Sequence, residues 1–260
     1  MSATRIHPTA VVAAGAELAS DVEVEPYAII GPRVRIGAGT WVGAHAVLTG
    51  RTSIGAHNRI FYHASVGAEP QDLKYRGEDS ELVIGDHNII REFATLHPGT
   101  AGGGMITTVG DHNLVMNYCH VAHDCRLGHH NVLANGVQLA GHVVIEDYVV
   151  LGALAGIHQF VRVGESAIVG AGSMVAQDVP PFCNATGDRA ALHGLNLLGL
   201  KRRGLDAARV RELKQAYRLL FRSGLTVADA VARARTEVPR SREVEALLAF
   251  VQHSERGVCR

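Results

Sequence analysis

A step of six residues from Ile6 meets an aliphatic side chain at every stop as far as Val66, passing Val12, Leu18, Val24, Ile30, Ile36, Val42, Leu48, Ile54 and Ile60. The register resumes at Ile84, Ile90 and Leu96. It resumes again at Val109 and runs through Val115, Val121, Leu127, Leu133, Leu139, Ile145, Leu151, Ile157, Val163 and Val169 to Val175. Two residues before a stop the side chain is small or modest, as at Ala28, Ala46, Ala64, Asn113, Cys119, Cys125 and Asn131. The residue after a stop is often glycine, as at Gly31, Gly37, Gly43, Gly55, Gly110, Gly128 and Gly152. No helix or ordinary strand repeats every six residues. A triangular coil with three six-residue faces does, each face closed by an aliphatic plug and a tight corner. Coils of this kind stack as a solenoid, each satisfying its neighbour's backbone groups.

The twenty-six stops predict a little under nine coils, a prism on the order of 40 Å long at ~4.8 Å per stacked strand. Hexapeptide coils form a left-handed parallel β-helix, an exception to the usual right-handed crossover. The period gives the coil, and the hand comes from the known fold. Two interruptions stand out. Near 67–83 the stops become Asp72 and Glu78, and near 97–108 a thirteen-residue step holds the glycine-rich run Gly99 to Gly104. Loops leaving a rigid scaffold are where function usually resides.

After Val175 the prolines of Gln177-Asp-Val-Pro-Pro181 end the strand run. From about Asp206 the period turns helical, with Val210, Leu213, Tyr217, Leu220 and Phe221 on one face. Two further helices are expected over Thr226 to Thr236 and Ser241 to Val251. The division is therefore a mainly β unit over 1–189 and a small α-helical C-terminal domain over 190–260. Its basic residues, among them Lys201, Arg202, Arg203, Arg211 and Arg218, form either a solvated face or a dock for an acidic partner.

Composition narrows the classes. Twenty-five basic and twenty-five acidic residues balance, which argues against a nucleic-acid binder. No apolar run reaches the ~20 residues of a membrane span, and no secretory signal opens the chain, so no membrane insertion is expected. The four cysteines have no disulfide or C-x-x-C spacing, which suits a reducing cytoplasm.

Chemistry concentrates in Cys119-His-Val-Ala-His-Asp-Cys125. Cys119, His120, His123 and Cys125 look like a zinc set, yet both cysteines occupy the small inward position and belong to the core. No metal is expected. Residues eighteen apart stack on successive coils, which puts Gly141 above His123, His142 above Asp124, and His158 one coil higher alongside. With His97 at the start of the second loop, histidines gather along one edge. A neutral imidazole accepts a proton from an attacking hydroxyl, a carboxylate such as Asp124 holds its orientation, and the unshielded N–H of Gly141 faces a developing oxyanion. Base and oxyanion donor without a nucleophile point to direct acyl transfer from a thioester to a sugar hydroxyl.

Six motifs in order, Gln71-Asp-Leu-Lys-Tyr75, His120-Val-Ala-His-Asp-Cys125, Leu139-Ala-Gly-His142, Ile157-His-Gln-Phe160, Val175-Ala-Gln-Asp-Val-Pro-Pro181 and Gly199-Leu-Lys-Arg-Arg-Gly204, resemble the UDP-N-acetylglucosamine O-acyltransferases of lipid A biosynthesis. The resemblance implies a cytoplasmic homotrimer with active sites between subunits and no bound cofactor. It implies transfer of a 3-hydroxyacyl chain from the phosphopantetheine arm of acyl carrier protein to the 3-hydroxyl of UDP-N-acetylglucosamine. His123 would be the base, Asp124 its partner and Gly141 the oxyanion donor. Asp72, His97, His120, His142, Gln159, Asn196 and Arg203 would line the nucleotide-sugar site, with Gln71 beside them. Lys74, His158 and Arg202 would support substrate or acyl-carrier binding.

The chain departs from the family pattern at Pro98, at Leu198, where a carboxylate is common, and at Ala171, where residue size helps set acyl length. Alternative readings are N-acylation of a 3-amino sugar analogue, a zinc-dependent hydratase on the same fold, and a non-catalytic solenoid.

Overall fold

The computed structural model describes residues 3–260. Every one of the twenty-six stops is the last residue of a short parallel strand. The strands fall into three sheets, the faces of a left-handed parallel β-helix. The first face carries strands ending at Ile6, Val24, Val42, Ile60, Ile90, Val115, Leu133, Leu151 and Val169. The second carries Val12, Ile30, Leu48, Val66, Leu96, Val121, Leu139, Ile157 and Val175, and the third Leu18, Ile36, Ile54, Ile84, Val109, Leu127, Ile145 and Val163. From the second coil upward the stop residues are buried and fill the prism's axis. Cys119 and Cys125 are wholly buried, with Sγ 3.1 Å from the Ala134 carbonyl and 3.2 Å from the Ala140 carbonyl respectively.

The corners owe their glycines to space rather than to backbone conformation. The glycine after a stop does not make the turn. A Cβ on Gly37 would lie 2.5 Å from the Gly55 carbonyl carbon, and one on Gly110 2.5 Å from the Gly128 oxygen. Glycine is required there because neighbouring coils approach too closely for a side chain. The turn comes two positions later, at a residue in the left-handed region: His57, His87, His112, Tyr118, Asp124, His142 and Phe160 have φ between 56° and 64°. Such residues stack ring on ring up each corner, as in His87–His112 at 4.8 Å and His142–Phe160 at 4.4 Å between centroids.

Small inward positions also do more than save space. The Asn58 Oδ1 accepts from the Asn88 N–H (2.8 Å), Asn88 from Asn113 (2.8 Å), Asn113 from Asn131 (2.9 Å) and Asn131 from Val149 (2.7 Å). This amide ladder satisfies buried corner N–H groups that have no strand partner.

Both loops leave the corner between the second and third faces. They span residues 67–80 and 97–105, shorter than expected because the returning strands Glu81–Ile84 and Ile106–Val109 pair over four residues with each other. Past Val175 the first face continues through an antiparallel hairpin, Cys183–Thr186 with Ala191–Leu195, which the sequence reading missed. Strand structure thus runs past residue 189, and helices begin with α1, Leu197–Arg202.

The expected helices follow as α2 (Ala207–Arg222), α3 (Val227–Glu237) and α4 (Arg242–Gln252). Asp206 and Thr226 cap α2 and α3, accepting from the N–H groups of Arg209 and Asp229, the usual way to satisfy a helix's first donors. Leu213, Tyr217 and Leu220 are buried, whereas Val210 and Phe221 are half-buried. Among the described residues no helix is long and apolar enough to cross a membrane.

Candidate active site

His123, Asp124, Gly141 and His142 share the corner between the second and third faces, with His97 and His120 beside them. Strand register sets this arrangement. Val121 pairs with Leu139 and Leu139 with Ile157, so the residues after each stop stack eighteen apart, and Gln159 lies one coil above Gly141. Leu96 pairs with Val121 across the loop, which brings His97 beneath Ala122.

The His123 Nδ1 lies 2.8 Å from Asp124 Oδ2. An ionised carboxylate only accepts, so Nδ1–H donates and Nε2 keeps its lone pair. The Asp124 side chain is completely buried, which would be costly without donors. The 97–105 loop supplies them: the Thr100 N–H reaches Oδ1 at 3.0 Å and Thr100 Oγ1 reaches Oδ2 at 2.7 Å. Gly103 packs so closely on the carboxylate that a Cβ there would overlap it. The Asp124 N–H in turn donates to Thr107 Oγ1 at 2.8 Å. The glycine-rich excess in the repeat is therefore a cradle for one carboxylate.

Gly141 lies against the His123 ring, where a Cβ would be 2.5 Å from Cε1. Its N–H has no partner among the described residues. The His142 Nδ1 stands 4.0 Å from Asp124 Oδ2, and its ring meets His123 edge-on at 5.2 Å. Burial lowers the His142 pKa against an opposing pull from Asp124 and, more weakly, from Asp72 on the neighbouring loop. Burial, with His120 and His123 adding, pushes His97 down to about 4. Its ring stands edge-on to His120 at 4.9 Å. His120 is lowered by burial and by His123, and its Nδ1 is 2.7 Å from Thr95 Oγ1. These imidazoles are held neutral at physiological pH.

The cysteines are inert by the same physics. Burial raises Cys119 to about 11 and Cys125 to about 12, so neither offers a thiolate. The zinc set read from Cys119, His120, His123 and Cys125 does not converge. A different trio does, His123, Asp124 and His142, whose ligand-type atoms lie within 4.8 Å of one another. Its closest contact is the His123–Asp124 hydrogen bond.

A groove of about 570 Å³ climbs the second face from His120, lined by Gln138, Ala140, Gly156, His158 and Met174 among others. Asp72 sits in the 67–80 loop, where its Oδ1 accepts from the Lys74 N–H at 2.9 Å, while Gln71 and Lys74 are exposed.

The remaining residues lie elsewhere. Asn196 caps α1, and its Nδ2 donates to the Ser166 carbonyl at 2.9 Å, on the corner between the third and first faces. Arg203 is held at the same corner, 2.6 Å from Glu165 Oε1 and over the Tyr148 ring at 3.9 Å. Arg202 is exposed beside it, and Ala171 is exposed on the corner between the first and second faces. A single chain does not bring these four to His123. Thr95, Thr100, Gly103 and Thr107 escaped the sequence reading; the broken register marked the segment of the last three, but nothing marked the individual residues, and Thr95 lies in an unbroken repeat.

The three-faced hexapeptide helix thus gathers at one corner an imidazole bonded to a buried carboxylate and a free backbone N–H, and the chain is a hexapeptide-repeat acyltransferase. Family models match over residues 106–141, as bacterial transferase hexapeptide repeats, and over 178–259, as domain 2 of UDP-N-acetylglucosamine O-acyltransferase. The chain is 54% identical over 256 residues to the acyl-[acyl-carrier-protein]–UDP-N-acetylglucosamine O-acyltransferase of Myxococcus xanthus, covering 98% of this chain and 99% of the relative. It is 51% identical over 255 residues to that of Thiobacillus denitrificans, with the same coverage. The structure of LpxA from Acinetobacter baumannii superposes with a TM-score of 0.96 at 44% identity, over 98% of this chain and 99% of that one. The chain belongs to the acyl-[acyl-carrier-protein]–UDP-N-acetylglucosamine O-acyltransferase family.

Proposed function

We propose that the protein transfers a 3-hydroxyacyl chain from acyl carrier protein to the 3-hydroxyl of UDP-N-acetylglucosamine, the first step of lipid A biosynthesis, with His123 as general base. The observation that carries the residue assignment is the 2.8 Å His123–Asp124 contact, with Asp124 buried and cradled by Thr100. The His123 Nε2 takes the proton of the sugar hydroxyl as its oxygen bonds to the thioester carbon. Asp124 stabilises the imidazolium, and the Gly141 N–H donates to the oxyanion. Collapse breaks the carbon–sulfur bond, and the imidazolium proton goes to the departing thiolate. The products are a sugar ester and free pantetheine thiol, with no enzyme nucleophile and no cofactor.

His97, His120 and His142, held neutral, supply uncharged donors and acceptors for the sugar. Asp72, Gln71 and Gln159 border the same corner, and Lys74 and His158 flank the route of the acyl arm. Asn196, Arg202, Arg203 and Ala171 take part in this reading from a neighbouring subunit of a homotrimer. Two features support that assembly. These residues occupy different prism edges from His123, and the outward positions Ile89, Leu114, Val132, Val150 and Ile168 make a half-buried apolar stripe on the first face. Phe93, Tyr118 and Leu154 continue it at 45%, 61% and 67% exposure, and a contiguous exposed apolar stripe is the kind of surface that marks a protein–protein contact. Exposed Arg211, Lys214 and Arg218 on α2 suit an acidic carrier protein. The cytoplasm, where acyl carrier proteins and nucleotide sugars are made, is the matching compartment.

The test is incubation of purified protein with 3-hydroxyacyl carrier proteins of several chain lengths and UDP-N-acetylglucosamine, read by mass spectrometry. One acyl group on O3 of the sugar is expected; recovery of unmodified sugar with every donor would refute the reading.

A further inference from the structure

We propose that Arg256 is a positioning residue that acts through His158, fixing the imidazole as the tautomer that carries its proton on Nε2. The inference rests on the acyl-transfer reading only for its kinetic consequence. His158 lines the groove that climbs from His120, while Arg256 approaches it from the C-terminal segment beyond α4. The Arg256 Nη2 lies 3.2 Å from His158 Nδ1. The same guanidinium is tied to the Ala176 carbonyl, at 3.1 Å from Nη2 and 3.3 Å from Nε. Its segment is pinned on either side of it: Ser254 Oγ donates to Asp178 Oδ2 at 2.8 Å, and the Asp178 N–H donates to the Gly257 carbonyl at 3.0 Å.

The His158 Nδ1 has a second neighbour, the Gln159 carbonyl at 3.2 Å. The two contacts demand opposite protonation. A carbonyl needs Nδ1–H, whereas a guanidinium only donates and needs the Nδ1 lone pair. A cation at 3.2 Å also repels a proton placed on that nitrogen. Arg256 therefore decides the matter: Nδ1 accepts, and the ring's remaining nitrogen carries the hydrogen. His158 becomes a fixed donor beside a mainly apolar groove, suited to an amide or thioester carbonyl of the arm that carries the acyl group. Without Arg256 the ring can turn its proton toward Gln159 and present an acceptor instead, leaving such a carbonyl unpaired.

The experiment is a double-mutant cycle with Arg256→Ala and His158→Ala, combined with ¹⁵N NMR of histidine-labelled protein. Arg256→Ala alone is expected to raise KM for the acyl carrier substrate about three- to ten-fold, the scale of one lost hydrogen bond, with kcat little changed. In the His158→Ala background the same change should have less than about a two-fold effect. Arg256→Lys, which keeps the cation, should recover most of the loss and serves if the alanine variant is poorly folded. The wild-type spectrum should show the His158 proton on Nε2, and Arg256→Ala should lose that preference. An equal loss from Arg256→Ala in both backgrounds, no loss in either, or a wild-type proton on Nδ1 would each overturn the proposal. The NMR result stands whether or not the acyl-transfer reading does, so the two can fail separately.

Discussion

Asp124 accepts three hydrogen bonds, and two of them come from Thr100. Thr100→Val removes the hydroxyl and keeps the backbone donor, so the carboxylate loses one charged-group bond worth ~1.5–3 kcal/mol. The expected outcome is a kcat lowered about ten-fold or more with KM for the sugar nearly unchanged, checked by steady-state kinetics. At His97 the consequence is thermodynamic. Its pKa falls from 6.5 to about 4 on folding, so between those values the unfolded chain binds more protons. Stability then rises with pH through this window, is fully present above about 6.5, and is lost toward pH 4. The loss reaches up to about 3 kcal/mol at most, since each pKa unit is 1.36 kcal/mol. Thermal melts from pH 7 to 4 should show a falling Tm that His97→Gln makes shallower; identical slopes would contradict a buried neutral imidazole.

The hexapeptide coil is the element, and its spacing explains what could be read in advance. A strict period names the inward side chain at each position, so Cys119 and Cys125 were legible as core, and the stacking interval placed Gly141 over His123 and His142 over Asp124. The period says nothing where it is broken. Thr100 and Gly103 lie in that break, and the hairpin at Cys183–Thr186 follows the last repeat, so neither was visible. The frequent glycine after a stop was legible, but its reason was not: glycine favours positive φ, yet here its missing Cβ matters more than its φ, as the approach of Gly37 to Gly55 shows. Gly37→Ala should accordingly destabilise by roughly 1–3 kcal/mol, the usual cost of overpacking, measured by denaturant unfolding. Cys125→Ala should lose about 1 kcal/mol or more through an unfilled core while activity per folded molecule is kept, a result that a ligand or nucleophile role would not allow.

At the scale of the whole molecule, the His123 corner, the Asn196–Arg203 corner and Ala171 occupy three separate edges of one prism. The apolar stripe through Leu114, Val132 and Val150 lies on the face between two of them. A charge placed in that stripe, as in Val132→Glu, should break the proposed homotrimer into monomers by light scattering and abolish turnover while the β-rich circular dichroism persists. Helix α4 ties to the prism through Arg242, which pairs with Glu165 at 2.9 Å, while Glu165 also holds Arg203. The helices and the third-to-first corner are thus positioned together, and a neighbour's site would receive both at once.

The most direct test of general-base acyl transfer is kcat for His123→Ala against wild type, with 3-hydroxyacyl carrier protein and UDP-N-acetylglucosamine as substrates and the oligomer verified intact. A fall of about 10²–10⁴ is expected, the usual contribution of a positioned base. Turnover within a few-fold of wild type would contradict the assignment of His123, and with it the role given to Asp124 and its cradle.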